Sequence, residues 1–226
     1  MIIAQRKDFE QISQAVAEFR KVLVVGCGTC VAVCLTGGEK EAGILASQLD
    51  LASQIKGEER TFGVACVERQ CDREFLDELA ETVLDYDAML SLACGAGIQF
   101  LAERYPQVPV LAGVDTTFIG INRDVGLWEE RCRACQDCVL SITGGICPVS
   151  LCPKGMLNGP CGGTRQGKCE TDPQRDCAWT LIYERLAGTD RLENLSPIVG
   201  YRDHGSKGQP GRQVHAAYQR RYSAHE

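Results

Sequence analysis

Histidine is almost missing from this chain. It occurs three times, at 204, 215 and 225, so the stretch before 204 offers no Cys–His pair for nucleophilic catalysis and no H-E-x-x-H zinc motif. The carboxylates fall mainly on helical faces, where solvation is their ordinary role, and no acid/base constellation emerges; no active site of its own is expected. Excess positive charge is also lacking. Lys and Arg number 24 against 30 Asp and Glu, a net charge of -6, which does not suggest a nucleic-acid partner. No window approaches the roughly 20 apolar residues that a membrane span needs, so membrane insertion is not expected. The opening Met1-Ile2-Ile3-Ala4-Gln5-Arg6 lacks a basic segment followed by a long apolar one, and no signal peptide is read there. A cytoplasmic location is the expectation. Thiols stay reduced in that compartment, so the fourteen cysteines read as metal ligands before disulfides.

Residues 131–177 hold eight of them: Cys132, Cys135, Cys138, Cys147, Cys152, Cys161, Cys169 and Cys177. Gly, Pro, Asn and Asp lie between them instead of a run of large apolar residues. Such a segment buries too little surface to offset its ordering entropy, and thiolates on metal are the expected substitute for a core.

The rest of the chain is patterned differently. Residues 8–20 place Phe9, Ile12, Val16 and Phe19 at helical spacing. Residues 21–26 (KVLVVG) read as a buried parallel strand. A helix is expected after Gly38 with Ile44, Leu45, Leu49 and Leu51 as its apolar residues, then a strand over 61–66. Asp72 is expected to cap a helix carrying Phe75, Leu76, Leu79 and Val83. Strands over 88–92 and 108–113 flank a helix that ends near Arg104. Alternation of this kind predicts an α/β fold: a small parallel Rossmann- or flavodoxin-like domain over residues 1–122. Residues 120–130 read as a mostly polar linker. An irregular Cys-rich metal-binding module is expected over 123–190, in which Trp179, Ile182, Tyr183 and Leu186 share one face of a short helix. An extended docking tail is expected over 191–226.

In a parallel sheet, ligands sit outside the carboxyl ends of the strands, and the order of elements collects thiols at that edge: Cys27 follows the first strand, Cys66 ends the second and Cys94 follows the third. Cys27, Cys30 and Cys34 form C-x2-C-x3-C directly after the first strand. A four-thiolate site needs one more; Cys94, in A-C-G-A-G at a strand end, is the first choice and Cys71 in E-R-Q-C-D the next. Cys66 lies inside an apolar strand and reads as core. Thr36-Gly37-Gly38-Glu39 is either an ordinary helix start or a set of amides free to meet an anion. The glycine spacing fits neither a P-loop nor a dinucleotide fingerprint, since Val31 stands where the third glycine belongs.

Cys132-x2-Cys135-x2-Cys138 is similar to the close-packed run of bacterial ferredoxins, and Cys147 and Cys152 are each followed by proline. Sulfur sites of this kind suit zinc and iron–sulfur clusters alike. Gly144-Gly145 and Gly162-Gly163 either let amides approach sulfur or simply turn the chain. Lys154 and Asn158 either meet solvent or face the site.

The motifs C-R-A-C-Q-D-C-V-L-S-I-T-G-G-I-C-P, C-P-K-G-M-L-N-G-P-C-G-G, G-K-C-E and C-A-W-T-L-I-Y-E-R-L resemble the methylenetetrahydrofolate reductase C-terminal domain family. Upstream, G-C-G-T-C-V-A-V-C-L-T-G-G-E-K-E, E-R-Q-C-D and S-L-A-C-G-A-G look like MetV-type subunits of MetVF methylenetetrahydrofolate reductases, and P-G-R-Q-V-H-A-A-Y-Q-R-R-Y is similar to their end. The resemblance implies a small iron–sulfur subunit with one or two 4Fe–4S clusters, zinc as a further candidate metal, and no flavin of its own. It implies a MetF-like flavoprotein partner that reduces 5,10-methylenetetrahydrofolate to the 5-methyl form, with electrons relayed or gated toward that flavin. Carried over residue by residue, Cys27, Cys30, Cys34, Cys71 and Cys94 match the first set of family cysteines and the eight later ones match the second; Cys66 falls outside the pattern. The electron donor stays open among a ferredoxin, an NADH-oxidising subunit and a heterodisulfide-reductase-like assembly. Two rival readings are a structural zinc subunit that stabilises the MetF partner without electron transfer, and a free-standing thiol redox or cluster-delivery protein.

Overall fold

In the computed structural model, which describes residues 1–201 and 211–222, β1 (Ile2–Arg6) and α1 (Phe9–Ala15) lead into four parallel strands. These are β2 (Lys21–Cys27), β3 (Thr61–Val67), β4 (Ala88–Ser91) and β5 (Val110–Ala112), connected through α2 (Cys30–Val33), α3 (Glu39–Lys56), α4 (Arg73–Asp77) and α5 (Gly95–Arg104). The sheet runs β3-β2-β4-β5 with every pair parallel. Counted from β2 the order is 2-1-3-4, so it reverses between β2 and β4, where an open sheet leaves a crevice at its carboxyl edge.

β2 shows why K-V-L-V-V-G is apolar throughout. Successive side chains point to opposite faces: Val22 and Val24 pack with Leu45, Leu49, Ala42 and Ala46 of α3, while Leu23 and Val25 pack with Leu76, Leu79, Leu101 and Tyr105 on the other side. The expected layering of helices on both faces is thus present. Ile44 and Leu51, expected among the apolar residues of α3, are exposed. Asp72 caps α4 as expected, accepting from the Glu74 N–H at 3.4 Å. The helix expected over 8–20 ends at Ala15, and turns carry the chain on, with Phe19 N–H bonded to the Val16 carbonyl at 3.1 Å.

Residues 120–130 are not a linker. β6 (Val114–Asp124) and β7 (Leu127–Cys132) form an antiparallel hairpin, and β1, for which no strand was expected, pairs with β6 on its other side. The hairpin turns at Gly126, whose φ is +76°, a left-handed conformation that glycine adopts without strain. Asp124 Oδ1 accepts from the Val125 N–H at 2.7 Å. Only Val114 and Gly120 of β6 are buried, so the period-2 signature of a half-buried strand is faint and the segment reads as polar.

The chain divides into two compact units, Met1–Arg133 and one beginning at Ala134. The second contains α6 (Pro148–Leu151), the hairpin β8 (Lys168–Cys169) and β9 (Asp172–Asp176), α7 (Ala178–Ala187) and α8 (Gln219–Tyr222). Its apolar core is small: Trp179, Ile182 and Leu186 are buried, with Ile146, Met156 and Cys177 packed against them. Trp179 Nε1 donates to the Met156 carbonyl at 2.9 Å. Tyr183, expected on the same face, is exposed. The tail is not uniformly extended; 3-10 turns occupy Leu192–Leu195 and Ala216–Tyr218. The parts of the expected tail at 202–210 and 223–226, with His204 and His225, lie outside the described residues. Among the described residues no helix is long and apolar enough to cross a membrane.

Candidate functional site

The parallel order carries the first cysteines to one edge. Cys27 is the last residue of β2 and is buried, Cys30 opens α2, Cys34 follows it, Cys71 lies beyond β3, and Cys94 is the N-cap residue of α5 just beyond β4. Cys71 is exposed at the residue level, but partial loss of hydration pushes its thiol up, and the charges of Cys94, Cys27 and Cys30 push it further. Thiols beyond three separate strand ends therefore stand along one edge of the sheet. Cys34 faces elsewhere: its Sγ donates to the Ile2 carbonyl at 3.5 Å. Burial raises its thiol, the Ala4 amide opposes the rise, and the Cys30 charge adds to it.

Cys66 sits in β3 opposite Gly26. A Cβ on Gly26 would lie 3.0 Å from the Cys66 Sγ and 3.1 Å from the Gly38 carbonyl oxygen, so glycine there lets the sulfur pack close to β2. Burial raises this thiol first, then the charges of Glu39, Cys27 and Glu41. The amides of Thr36, Gly37 and Gly38 are taken internally, Thr36 N–H by the Val31 carbonyl at 3.0 Å. Gly37 N–H donates to the Val31 carbonyl at 3.2 Å, and Gly38 N–H to Glu41 Oε2 at 3.1 Å; the turn is an ordinary helix start.

Of the second set, Cys132 closes β7 in the first unit and the other seven lie in the second. Cys135 stands between two residues of positive φ, Ala134 at +49° and Gln136 at +60°. Non-glycine residues rarely take this conformation. Cys147 is the N-cap residue of α6, with Pro148 at its first position, and Cys152 follows its end. Cys161 and Cys138 are exposed.

A tight turn precedes Cys169 and is tied to Cys177. Arg165 and Lys168 exchange backbone bonds of 2.9 and 3.2 Å across Gln166-Gly167, both at positive φ, as a two-residue turn requires. The Cys177 N–H donates to the Gly167 carbonyl at 2.7 Å. The Thr171 hydroxyl, 3.2 Å from the Cys169 Sγ, and the Thr171 amide pull the Cys169 thiol down; the Cys177 charge opposes them. Burial pushes Cys177 up, but the amide and hydroxyl of Thr180, the Thr164 hydroxyl and the Trp179 amide outweigh it, and its thiol lies below the usual range. Asn158 and Lys154 do not face these thiols. Asn158 exchanges two bonds with the Val199 backbone, of 2.8 and 2.7 Å, and Lys154 pairs with Glu170. Next to this region lies a cavity of about 340 Å³ walled by Leu157, Trp179, Tyr183, Leu195 and Ile198 and by Thr164 and Thr180.

Among the described residues no group of three or more His, Cys, Asp and Glu side chains is gathered as a metal site. Sequence reasoning passed over the threonine hydroxyls at 164, 171 and 180, which are ordinary loop residues until the hairpin folds. It also passed over Gln70 and Ser91, two fully buried polar residues at strand ends. The one visible signal was a serine inside the apolar run A-M-L-S-L.

Residues 111–205 match the family model described as methylene-tetrahydrofolate reductase C terminal. That segment takes in all eight cysteines of the second set and leaves the first set outside it. No curated protein and no solved structure matches the chain.

Proposed function

We propose that this chain is the electron-transfer subunit of a methylenetetrahydrofolate reductase complex, with an iron–sulfur cluster on the first thiol set. One observation carries the reading: Cys27, Cys30, Cys71 and Cys94, far apart in sequence, all stand at the carboxyl ends of β2, β3 and β4, along one edge of the parallel sheet. The family match over 111–205 supplies the reductase.

In donor chemistry these residues match such a group. Four thiols are the donor set of both common cluster types, and soft thiolate ligands favour iron–sulfur or zinc over hard cations. Cys71 is exposed, which gives that edge a route to a partner. Cys34, of the five cysteines carried over from the family, is the one turned toward β1; we assign it a packing role. A bound cluster supplies one-electron transfer, and the chain's own task is to hold the four sulfurs, keep their loops fixed and present the edge to a MetF-like flavoprotein. The same roles are proposed for the second set, whose eight cysteines all lie within the segment that matches the family. Electrons would come from a ferredoxin, an NADH-oxidising subunit or a heterodisulfide-reductase-like assembly.

Zinc at the second set has its own support. Among the described residues of the second unit the apolar core is a small cluster around Trp179, Ile182 and Leu186, with Val139 and Ala178 also buried, and structural zinc contributes folding free energy where a core is small. Zinc there is compatible with a cluster at the first set.

The test mixes the anaerobically purified chain with a MetF-like flavoprotein and a reduced ferredoxin and follows flavin absorbance. The expected result is bleaching that depends on this chain and is lost in Cys71→Ala and Cys94→Ala. Equal bleaching with either variant would overturn the proposal, as would a wild-type chain that carries zinc alone.

A further inference from the structure

One unbroken series of hydrogen bonds joins the three strand ends that carry the first thiols, and it runs through Gln70. The Gln70 carboxamide donates through Nε2 to the carbonyls of Val25 at 2.9 Å and Gly26 at 3.0 Å, at the end of β2. Its Oε1 accepts from the Ser91 hydroxyl at 2.6 Å, at the end of β4. The Ser91 oxygen in turn accepts from the Ala93 N–H at 3.2 Å. Gln70 and Ser91 are both 0% exposed.

The placement is specific. Gly26, Gln70 and Ala93 each stand immediately before a cysteine: Cys27, Cys71 and Cys94. The series therefore connects the backbone one residue upstream of a thiol on three different loops. Packing alone does not call for a glutamine here. Burying a polar side chain is unfavourable unless its hydrogen bonds are made, and a methionine fills a similar volume. Only a carboxamide can donate to two carbonyls with one end and accept a hydroxyl with the other; glutamate lacks the donors and lysine the acceptor. Space is reserved for it as well: a Cβ on Gly97 of α5 would lie 3.0 Å from the Gln70 Cβ and 2.8 Å from the Ala93 Cβ.

We propose that Gln70 is a positioning residue for the first thiol set. By linking Gly26, Ser91 and Ala93 it sets the spacing of Cys27, Cys71 and Cys94, and with it how firmly these thiols retain an iron–sulfur cluster. The proposal rests on the reading that these thiols hold such a cluster.

The experiment uses the full chain, purified anaerobically, as wild type, Gln70→Met, Ser91→Ala and Val83→Ala. Val83 is fully buried in the same core, and its truncation lowers stability while leaving all four hydrogen bonds in place. The first-set signal is defined as the part of the reduced EPR spectrum that Cys71→Ala removes. Iron release to excess bathophenanthroline is followed alongside. Outer-shell partners of metal ligands are typically worth about 10- to 100-fold in metal affinity. Accordingly Gln70→Met and Ser91→Ala are expected to shift the g-values and to release first-set iron at least about tenfold faster than wild type, whereas Val83→Ala keeps the wild-type g-values and rate. If Gln70→Met does not fold, Ser91→Ala, which deletes a single hydroxyl, carries the comparison. Spectra and release rates in the two polar variants that match Val83→Ala would overturn the positioning role. A wild-type chain with no Cys71-dependent signal would instead overturn the iron–sulfur reading, and this proposal with it.

Discussion

Gly37 and Gly43 lie six residues apart and are expected to respond in opposite directions to the same methyl group. A Cβ on Gly37 would sit 2.0 Å from the Leu92 carbonyl oxygen and 3.0 Å from the Leu92 Cβ. Ordinary contact begins at 3.4 Å, so more than an ångström of backbone must open. Leu92 has little freedom to yield: its side chain is fully buried in the core, and its N–H donates to the Val25 carbonyl at 2.9 Å. Nor is the Gly37 side free, because the Gly37 carbonyl accepts from the Cys27 N–H at 2.8 Å. Overpacking of a core costs about 1–3 kcal/mol, and a clash between two pinned backbones belongs at the upper end. At roughly 3 °C per kcal/mol for a chain of this size, Gly37→Ala should lower Tm by about 6–9 °C. At Gly43, inside α3, a Cβ meets nothing within 4 Å. Replacing a mid-helix glycine by alanine gains about 1 kcal/mol, so Gly43→Ala should raise Tm by about 3 °C. Calorimetry or circular dichroism at 222 nm reads both. An unchanged Tm in Gly37→Ala, or a fall in Gly43→Ala as deep as that in Gly37→Ala, would refute the close packing of the Thr36–Glu39 turn on the end of β4.

Acid should loosen the β6–β7 hairpin. The Arg123 side-chain bonds to Glu129, of 3.1 and 2.9 Å, hold the Glu129 carboxyl below its usual range, with Arg131 adding to the effect against burial. A folded pKa below the unfolded value of ~4.3 means the contribution is complete above that value and is lost as pH falls through the folded one. Trp128 fluorescence, read in a Trp179→Phe background, is expected to change as pH drops below ~4.3 and to lose that dependence in Glu129→Gln; a transition that persists in Glu129→Gln would contradict the assignment. The Asn158 clip is testable by hydrogen exchange. Two exposed hydrogen bonds at a net value of about 1 kcal/mol each or less predict roughly tenfold faster exchange of the Val199 amide in Asn158→Ala, and unchanged protection would show that the clip does not hold that segment.

The parallel sheet was legible from its centre: β2 and β4 are bounded by turns and buried on both faces, while β3 and β5 at its margins are only partly covered. K-V-L-V-V-G has no polar side to confuse the reading, and the order of elements then placed Cys27, Cys66 and Cys94 at one edge without any contact being known, while Cys71 was named only as a candidate fourth ligand. The antiparallel sheet was not legible for the converse reason: β6 buries few residues and carries Asn122, Arg123 and Asp124 at its end, so nothing marked it as a strand until β1 returned from the far end of the unit to pair with it. The spacing of the first thiols gave no sign of the turning of Cys34 toward the Ile2 carbonyl, which depends on that same unforeseen pairing. The bonds through Gln70 were hidden because they join residues 21 to 45 positions apart, and no local spacing encodes such a contact. In the second unit the cysteine spacings were plain, while the left-handed backbone at Ala134, Gln136 and Gln166 carried no glycine to announce it.

The most direct test of the central reading is a count of iron and acid-labile sulfide in the anaerobically purified chain beside its Cys71→Ala variant. The account predicts that Cys71→Ala loses about four irons and four sulfides per chain, the content of one 4Fe–4S cluster, together with an EPR signal on reduction. Equal iron and sulfide in the two proteins, or zinc without sulfide in both, would contradict it.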